Sequence, residues 1–95
     1  MDFEWDDEKN RANIAKHGVS FDEAALIFGG PTLTRIDDRW DYGETREISI
    51  GQLPEQVVAT VIHTDRNGVT RLISARLANR AERKRYYDYC KKISQ

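Results

Sequence analysis

The sequence predicts an α+β fold in which two N-terminal helices precede a four-stranded antiparallel sheet and a C-terminal helix ends the chain. Apolar residues recur at helical spacing before Pro31 and again after Asn79. From Thr32 onward, between these two regions, they recur at every second position, as in a strand. The connections between the strand candidates are short, which favours antiparallel neighbours. A chain of 95 residues is expected to form one domain, over residues 1–95.

Both N-terminal helices have start and stop signals. Asp6 is a predicted N-cap for the first helix, and Gly18 supplies the left-handed residue that ends it. Ser20 and Glu23 form a capping box at the start of the second helix, which a Gly-Gly-Pro sequence terminates. Asn79, with Glu82 three residues later, has the same pattern and is predicted to begin the last helix. Before them, "DFEW" at residues 2–5 alternates polar and aromatic residues and could add a short strand.

Four segments alternate with a period of two and are predicted strands: "TLTRID", "TREISIG", "VVATVIHT" and "VTRLISAR". Asn67-Gly68 predicts a two-residue hairpin turn between the last two strands. Residues paired across that turn have numbers that sum to about 135. His63 should therefore lie opposite Leu72, and Ala59 opposite Arg76, so that His63 and Arg76 would share one sheet face.

The charges are unevenly distributed along a chain whose formal net charge is -1. Residues 1–48 contain 6 Lys and Arg against 12 Asp and Glu, whereas residues 49–95 contain 9 against 4. Such asymmetry favours a polyanionic or charged protein partner. Cys90, the single cysteine, excludes an internal disulfide, and the acidic N-terminus is unlike a secretory signal. Because no apolar run reaches membrane-spanning length either, we expect a soluble cytoplasmic protein.

Two arginines are predicted to form a phosphate-binding corner. Arg76 ends the last strand and Arg80 begins the last helix, where free backbone amides also favour anions. Guanidinium groups bind phosphate bidentately and remain charged, so these two are candidates for catalysis and RNA binding. Arg83 and Arg71 are further RNA-binding candidates, with Arg71 near the hairpin turn. The alternative is that Arg76 forms a salt bridge with an acidic residue of the first half of the chain, and that Arg83, Lys84 and Arg85 are a solvated helix face.

RNA cleavage by the 2′-hydroxyl requires no metal or other cofactor in principle, only cations on the phosphate and groups that transfer protons. His63 or His17 could transfer protons, with Tyr86 as a weaker donor. His17 could instead be a cation at a helix C-terminus, and His63 an ordinary strand residue. A metal site on Asp6–Glu8 is less favoured, because helix capping already explains adjacent carboxylates there.

Two blocks of the sequence together resemble the BrnT family of bacterial toxins. They are "FEWDDEKNRANIAKHGVSFDEAALIF" at the start and "RLISARLANRAERKRYY" at the end, and they cover roughly half of the chain. Several residues stand where the family pattern has them: Trp5-Asp6, Lys16-His17-Gly18, Arg71, Ser74-Ala75-Arg76, Glu82-Arg83 and Tyr86. The resemblance implies a RelE-like ribonuclease fold.

It also implies the toxin of a type II toxin–antitoxin pair, which cleaves RNA and inhibits translation until an antitoxin, BrnA, covers it. That antitoxin has a ribbon-helix-helix DNA-binding domain, so the toxin would meet operator DNA only through its partner, and a homodimer within a larger complex is compatible with this. We therefore expect a metal-independent endoribonuclease. The alternative is a non-catalytic subunit whose arginines bind an acidic antitoxin segment and assemble a repressor complex.

Overall fold

The computed structural model describes residues 1–94, which form three α-helices and five β-strands. Their bounds in chain order are β1 Asp2–Glu4, α1 Asp7–His17, α2 Phe21–Ala24, β2 Thr32–Asp37, β3 Arg46–Gln52, β4 Val58–Arg66, β5 Val69–Leu77 and α3 Arg80–Ile93. A 3₁₀ turn, Ala25–Gly29, continues α2, and a second one, Pro54–Gln56, connects β3 to β4.

The five strands form one mixed sheet in the order β1-β5-β4-β3-β2. The α+β class is confirmed, but the prediction of four antiparallel strands is wrong. β1 lies at the sheet edge and pairs with β5 in parallel, joining Asp2–Glu4 to Val69–Arg71. The pairing joins segments more than sixty positions apart, and no turn or short-range pattern in the sequence indicates such a contact.

The helices begin at the predicted residues, and α1 also ends at the predicted residue. The Asp6 side chain accepts a hydrogen bond from the backbone N–H of Lys9, at 3.0 Å, and Gly18 ends α1 with a φ of 72°. Both predicted capping boxes form, one at the start of α2 and one between Asn79 and Glu82 at the start of α3. α2 is shorter than predicted because the chain tightens into the 3₁₀ turn after Ala24.

Each face of the sheet is covered by different helices. On one face, α2 and the 3₁₀ turn bury a cluster that includes Phe21, Ile27, Val61 and Leu72. On the other face, α3 buries Tyr86 in a smaller cluster with neighbouring strand residues. We call these the α2 face and the α3 face.

A β-bulge changes the predicted register of the last hairpin. The Asn67-Gly68 turn and the His63–Leu72 pair are as predicted, but a register shift between Ile62 and His63 pairs Ala59 with Leu77 instead of Arg76. One extra residue in a strand turns every following side chain to the opposite face. The prediction that His63 and Arg76 share a face is therefore wrong.

Asn13 attaches α1 to the outer edge of β5. Its Nδ2 donates to the Ala75 carbonyl at 2.8 Å and to the Val19 carbonyl at 2.9 Å, while its Oδ1 accepts from the Ala75 N–H at 3.1 Å. The side chain is 7% exposed and takes the place of a neighbouring strand at this position. This contact fixes the helix against the strand that carries Arg76.

Candidate functional site

Arg76 forms a bidentate ion pair with Glu82 on the α3 face. Its Nη1 donates to Oε1 at 2.7 Å and its Nη2 donates to Oε2 at 2.9 Å. The Glu82 side chain is 6% exposed, whereas that of Arg76 is 41% exposed. A buried carboxylate therefore orients a guanidinium group that remains accessible to a ligand.

Glu82 is held in its ionised form. Burial opposes ionisation, but hydrogen bonds from Arg76 and from the Asn79 backbone N–H, together with the charge of Arg76, outweigh burial and lower the pKa of Glu82 to about 2. The carboxylate is also the reciprocal half of the α3 capping box. At neutral pH it can orient Arg76, but it has no proton to donate.

A second guanidinium group, that of Arg39, is held by a buried carboxylate in the same way. In the segment after β2, its Nε and Nη2 donate to the two carboxylate oxygens of Asp37 at 2.7 and 2.9 Å. The Asp37 side chain is fully buried and that of Arg39 is 55% exposed, so this pair repeats the arrangement of Arg76 with Glu82. Hydrogen bonds from Arg39 hold the pKa of Asp37 well below its usual range.

The charge of Arg39 acts on Arg76. The hydrogen bonds from Arg76 to Glu82 raise the pKa of Arg76, whereas burial and the nearby charge of Arg39 oppose that rise. Each guanidinium group already has its own carboxylate partner, and its side chain remains partly exposed. Arg76 of β5 and Arg39 of the segment after β2 are therefore the candidate anion-binding groups.

Sequence reasoning missed Arg39, because it lies in a segment of mixed charge without a recognisable motif. The available signal was Asp37, a carboxylate at the end of an otherwise alternating strand, with an arginine two positions later. Nearby, the Arg46 guanidinium lies 4.0 Å from the centroid of the Tyr42 ring, whose hydroxyl donates to Asp37 at 3.1 Å. The segment between β2 and β3 thus adds cationic and aromatic groups next to Asp37.

The other predicted RNA-binding arginines differ from this pair in their partners. Arg80 is exposed at the start of α3 and makes no hydrogen bond or ion pair within residues 1–94. Arg83, one turn later, donates from Nη1 to the Ala78 carbonyl at 2.8 Å. Arg71 lies near the opposite end of β5, 3.5 Å from a carboxylate oxygen of Glu4.

The structure does not bring His63 to Arg76. On the α2 face, its Nε2 lies 2.7 Å from the Ser49 hydroxyl, which lies 2.7 Å from the Thr34 hydroxyl. The ring packs edge-on to Phe28 with a centroid distance of 5.0 Å. His63 is 6% exposed, and burial lowers its pKa, although the nearby charge of Glu47 opposes that effect.

Tyr86 and His17 occupy two further, separate positions. The Tyr86 hydroxyl donates to the Pro31 carbonyl at 2.8 Å, and burial raises its pKa to about 12. His17 is half-buried at the end of α1, in a shallow groove that Lys16 and Ser74 also line. The three predicted proton-transfer groups therefore do not converge on one point.

Within the described chain, no three histidine, cysteine or carboxylate side chains come together in a geometry that could hold a metal ion. None of the helices in residues 1–94 is long and apolar enough to cross a lipid bilayer.

Known proteins resemble this chain in sequence and in fold. A family model described as the ribonuclease toxin BrnT of type II toxin–antitoxin systems matches residues 5–82. The 1.1 Å crystal structure of the Brucella abortus ribonuclease toxin BrnT superposes with a TM-score of 0.63 and 24% identity, over 84% of this chain and 99% of that chain. No curated protein sequence matches significantly.

Proposed function

Because this chain belongs to the BrnT family of ribonuclease toxins of type II toxin–antitoxin systems, we propose that it cleaves RNA at the site formed by Arg76 and Arg39. The observation that carries this proposal is the pair of accessible guanidinium groups, each fixed by a buried carboxylate. Two oriented guanidinium groups suit a phosphodiester, whose charge increases during cleavage. No metal ion is needed for this reaction.

In the proposed reaction, the ribose 2′-oxygen forms a bond to phosphorus and the bond from phosphorus to the 5′-oxygen breaks. The 2′-hydroxyl loses a proton, the leaving oxygen gains one, and the products are a 2′,3′-cyclic phosphate and a 5′-hydroxyl. Arg76 and Arg39 stabilise the additional negative charge on the phosphoryl oxygens. Glu82 and Asp37 are positioning residues, because they orient the arginines and remain ionised.

The three candidate proton-transfer residues differ in how accessible their side chains are to a substrate. His17 is half-buried, so its ring is accessible, and it remains our candidate, together with water. His63 and Tyr86 are buried and hydrogen-bonded, and we propose structural roles for both. Arg80 and Arg83 extend the positive charge along the start of α3, and with Arg71 they would contact RNA phosphates outside the cleaved bond.

The proposed cellular role is inhibition of translation in the cytoplasm, neutralised by an antitoxin. Type II systems include a protein antitoxin, and we propose a BrnA-type partner with a ribbon-helix-helix domain that carries the complex to operator DNA. One observation favours the alternative of a non-catalytic docking subunit. The partner of Arg76 in the structure is the Glu82 carboxylate. An acidic antitoxin peptide would present the same chemical group to Arg76.

RNA cleavage in EDTA tests the proposal. The purified protein is incubated with total RNA beside Arg76→Ala, Arg39→Ala and the control Arg85→Ala, which removes an exposed arginine from α3. We expect the two site variants to lose roughly 100-fold or more in cleavage rate, as is typical when one oriented donor to a developing charge is removed. Arg85→Ala should cleave as the wild type does.

Circular dichroism of each variant excludes unfolding as the cause of lost activity. Undiminished cleavage by folded Arg76→Ala and Arg39→Ala would refute the site. Absence of cleavage by the wild type, both on free RNA and on translating ribosomes, would favour the docking alternative.

A further inference from the structure

An apolar groove of about 450 Å³ lies at the end of the sheet where β5 ends. The start of the 3₁₀ turn after α2, the segment between β3 and β4, and the last residue of β5 all contribute to it. Three of its side chains expose large apolar surfaces: Leu26 (54% exposed), Leu77 (53%) and Val57 (38%). Three different elements thus present apolar groups to one concave surface, a feature typical of protein interaction sites.

One wall of this groove is held in a strained conformation. Glu55 and Gln56 both have left-handed backbones, with φ of 66° and 65°, although neither is glycine. A hydrogen bond from the Leu53 N–H to the Val57 carbonyl, at 2.6 Å, closes this segment. Consecutive left-handed residues of this type are costly, and such strain is found where a surface must keep a fixed shape.

The charges of the groove disfavour RNA as its occupant. The charged residues that line it, Glu23 and Glu55, are both acidic, and both are exposed. A phosphate backbone would be repelled here, whereas a protein segment with apolar side chains and one or two Lys or Arg would be complementary. The groove also differs in character from the arginine site. Leu77 directly follows Arg76 in the chain, yet it lines this groove with α2-side residues, whereas Arg76 pairs with Glu82 of α3.

We propose that this groove binds an amphipathic, basic segment of the antitoxin and anchors it next to the arginine site. The partner is taken from the proposed function, which this inference therefore extends. An anchor at the end of β5 would place the rest of the antitoxin within reach of Arg76 without competing with RNA for the same guanidinium groups. Neutralisation and catalysis would then depend on different residues.

Variants that separate binding from cleavage test this proposal. The chain is produced with the protein encoded beside it, and the affinity of the purified partners is measured for wild type, Leu26→Lys and Glu55→Lys. Ile93→Lys is the matched control, because Ile93 is also 50% exposed but lies at the end of α3. We expect Leu26→Lys to weaken binding roughly 30-fold or more, as for a central interface residue. Glu55→Lys should weaken it less and reduce its dependence on salt.

RNA cleavage by Leu26→Lys in the absence of the partner should equal that of the wild type, because Leu26 lies outside the arginine site. Unchanged affinity of Leu26→Lys, or absence of binding by the wild type, would overturn the proposal. Size-exclusion chromatography adds a further outcome: if Leu26→Lys dissociates a homodimer and retains its affinity for the partner, a second copy of the chain occupies the groove. Because binding is measured without RNA, these outcomes can be read even if the chain proves not to cleave RNA.

Discussion

Two polar pairs, Arg76 with Glu82 and His63 with Ser49, lie on opposite faces of the same sheet. Arg76 is doubly hydrogen-bonded and 41% exposed. His63 packs against Phe28 and is 6% exposed, and burial lowers its pKa. A polar group that remains accessible can bind a ligand, whereas a fully buried and satisfied one contributes to folding. We infer that the functional polar groups lie on the α3 face, whereas the polar groups of the α2 face contribute to the stability of the fold.

The largest stability effect is expected from overfilling the α2 face. A Cβ added to Gly51 would lie only 2.6 Å from the Cβ of Ile27. Ile27 is fully buried, so it has little room to move away. Gly51→Ala should lower the free energy of unfolding by about 1–3 kcal/mol, as is typical of overpacking. Thermal denaturation should show a shift of roughly 4–8 °C for each kcal/mol.

Gly30→Ala is the matched control, because nothing lies within 4 Å of a Cβ at Gly30 and its φ of -138° suits any residue. Equal melting temperatures for the two variants would contradict tight packing on the α2 face.

The second prediction concerns pH. Burial lowers the pKa of His63 from 6.5, so the unfolded chain binds a proton more readily than the folded one. His63 therefore contributes its full stability above pH 6.5, and this contribution is lost as the pH falls below that value. The slope cannot exceed about 1.4 kcal/mol per pH unit for one proton.

Urea denaturation between pH 7 and roughly pH 5 measures this effect, and His63→Gln should show a flatter dependence on pH. Glu82 contributes to the slope only below about pH 5.5, because the unfolded chain binds its proton near the ordinary value of 4.5. The same contribution is present in His63→Gln, so the comparison of the two slopes removes it. An unchanged slope in His63→Gln would mean that another group senses the pH.

The smallest expected effect is that of Glu82→Gln. Glutamine preserves the capping box with Asn79, so α3 should still begin at Arg80. The bidentate acceptor of Arg76 is lost, however, and a less oriented guanidinium should reduce RNA cleavage by about tenfold, less than removal of Arg76 itself. A cleavage rate equal to that of wild type would show that Glu82 has no positioning role.

The fold was predictable wherever the determining signal is local. The caps at Asp6, Ser20 and Asn79 and the turn at Asn67-Gly68 each depend on residues within a few positions, and all form as predicted. The parallel pairing of β1 with β5 was missed, because its register depends on packing between distant segments. The bulge beside His63 was missed for the same reason, since either register leaves an alternating pattern in the sequence.

The candidate site was predictable only in part. Arg76 was identified from its place at the end of a strand, but its partner in the ion pair is Glu82, which the sequence first presents as a capping residue. Arg39 was missed because the burial of its partner Asp37 depends on how the strands pack. Charge clustering along the chain favoured Arg80, whereas the ion pair with a buried carboxylate selects Arg39.

The pairing of β1 with β5 also determines when the protein can become active during synthesis. Asp2–Glu4 leave the ribosome first, yet their strand partner, Val69–Arg71, is made more than sixty residues later. Arg76 and Glu82 follow still nearer the end of the chain. High contact order of this kind delays closure of the sheet until nearly all of the chain is available. A nascent or truncated chain would therefore lack both the closed sheet and the ion pair that orients Arg76.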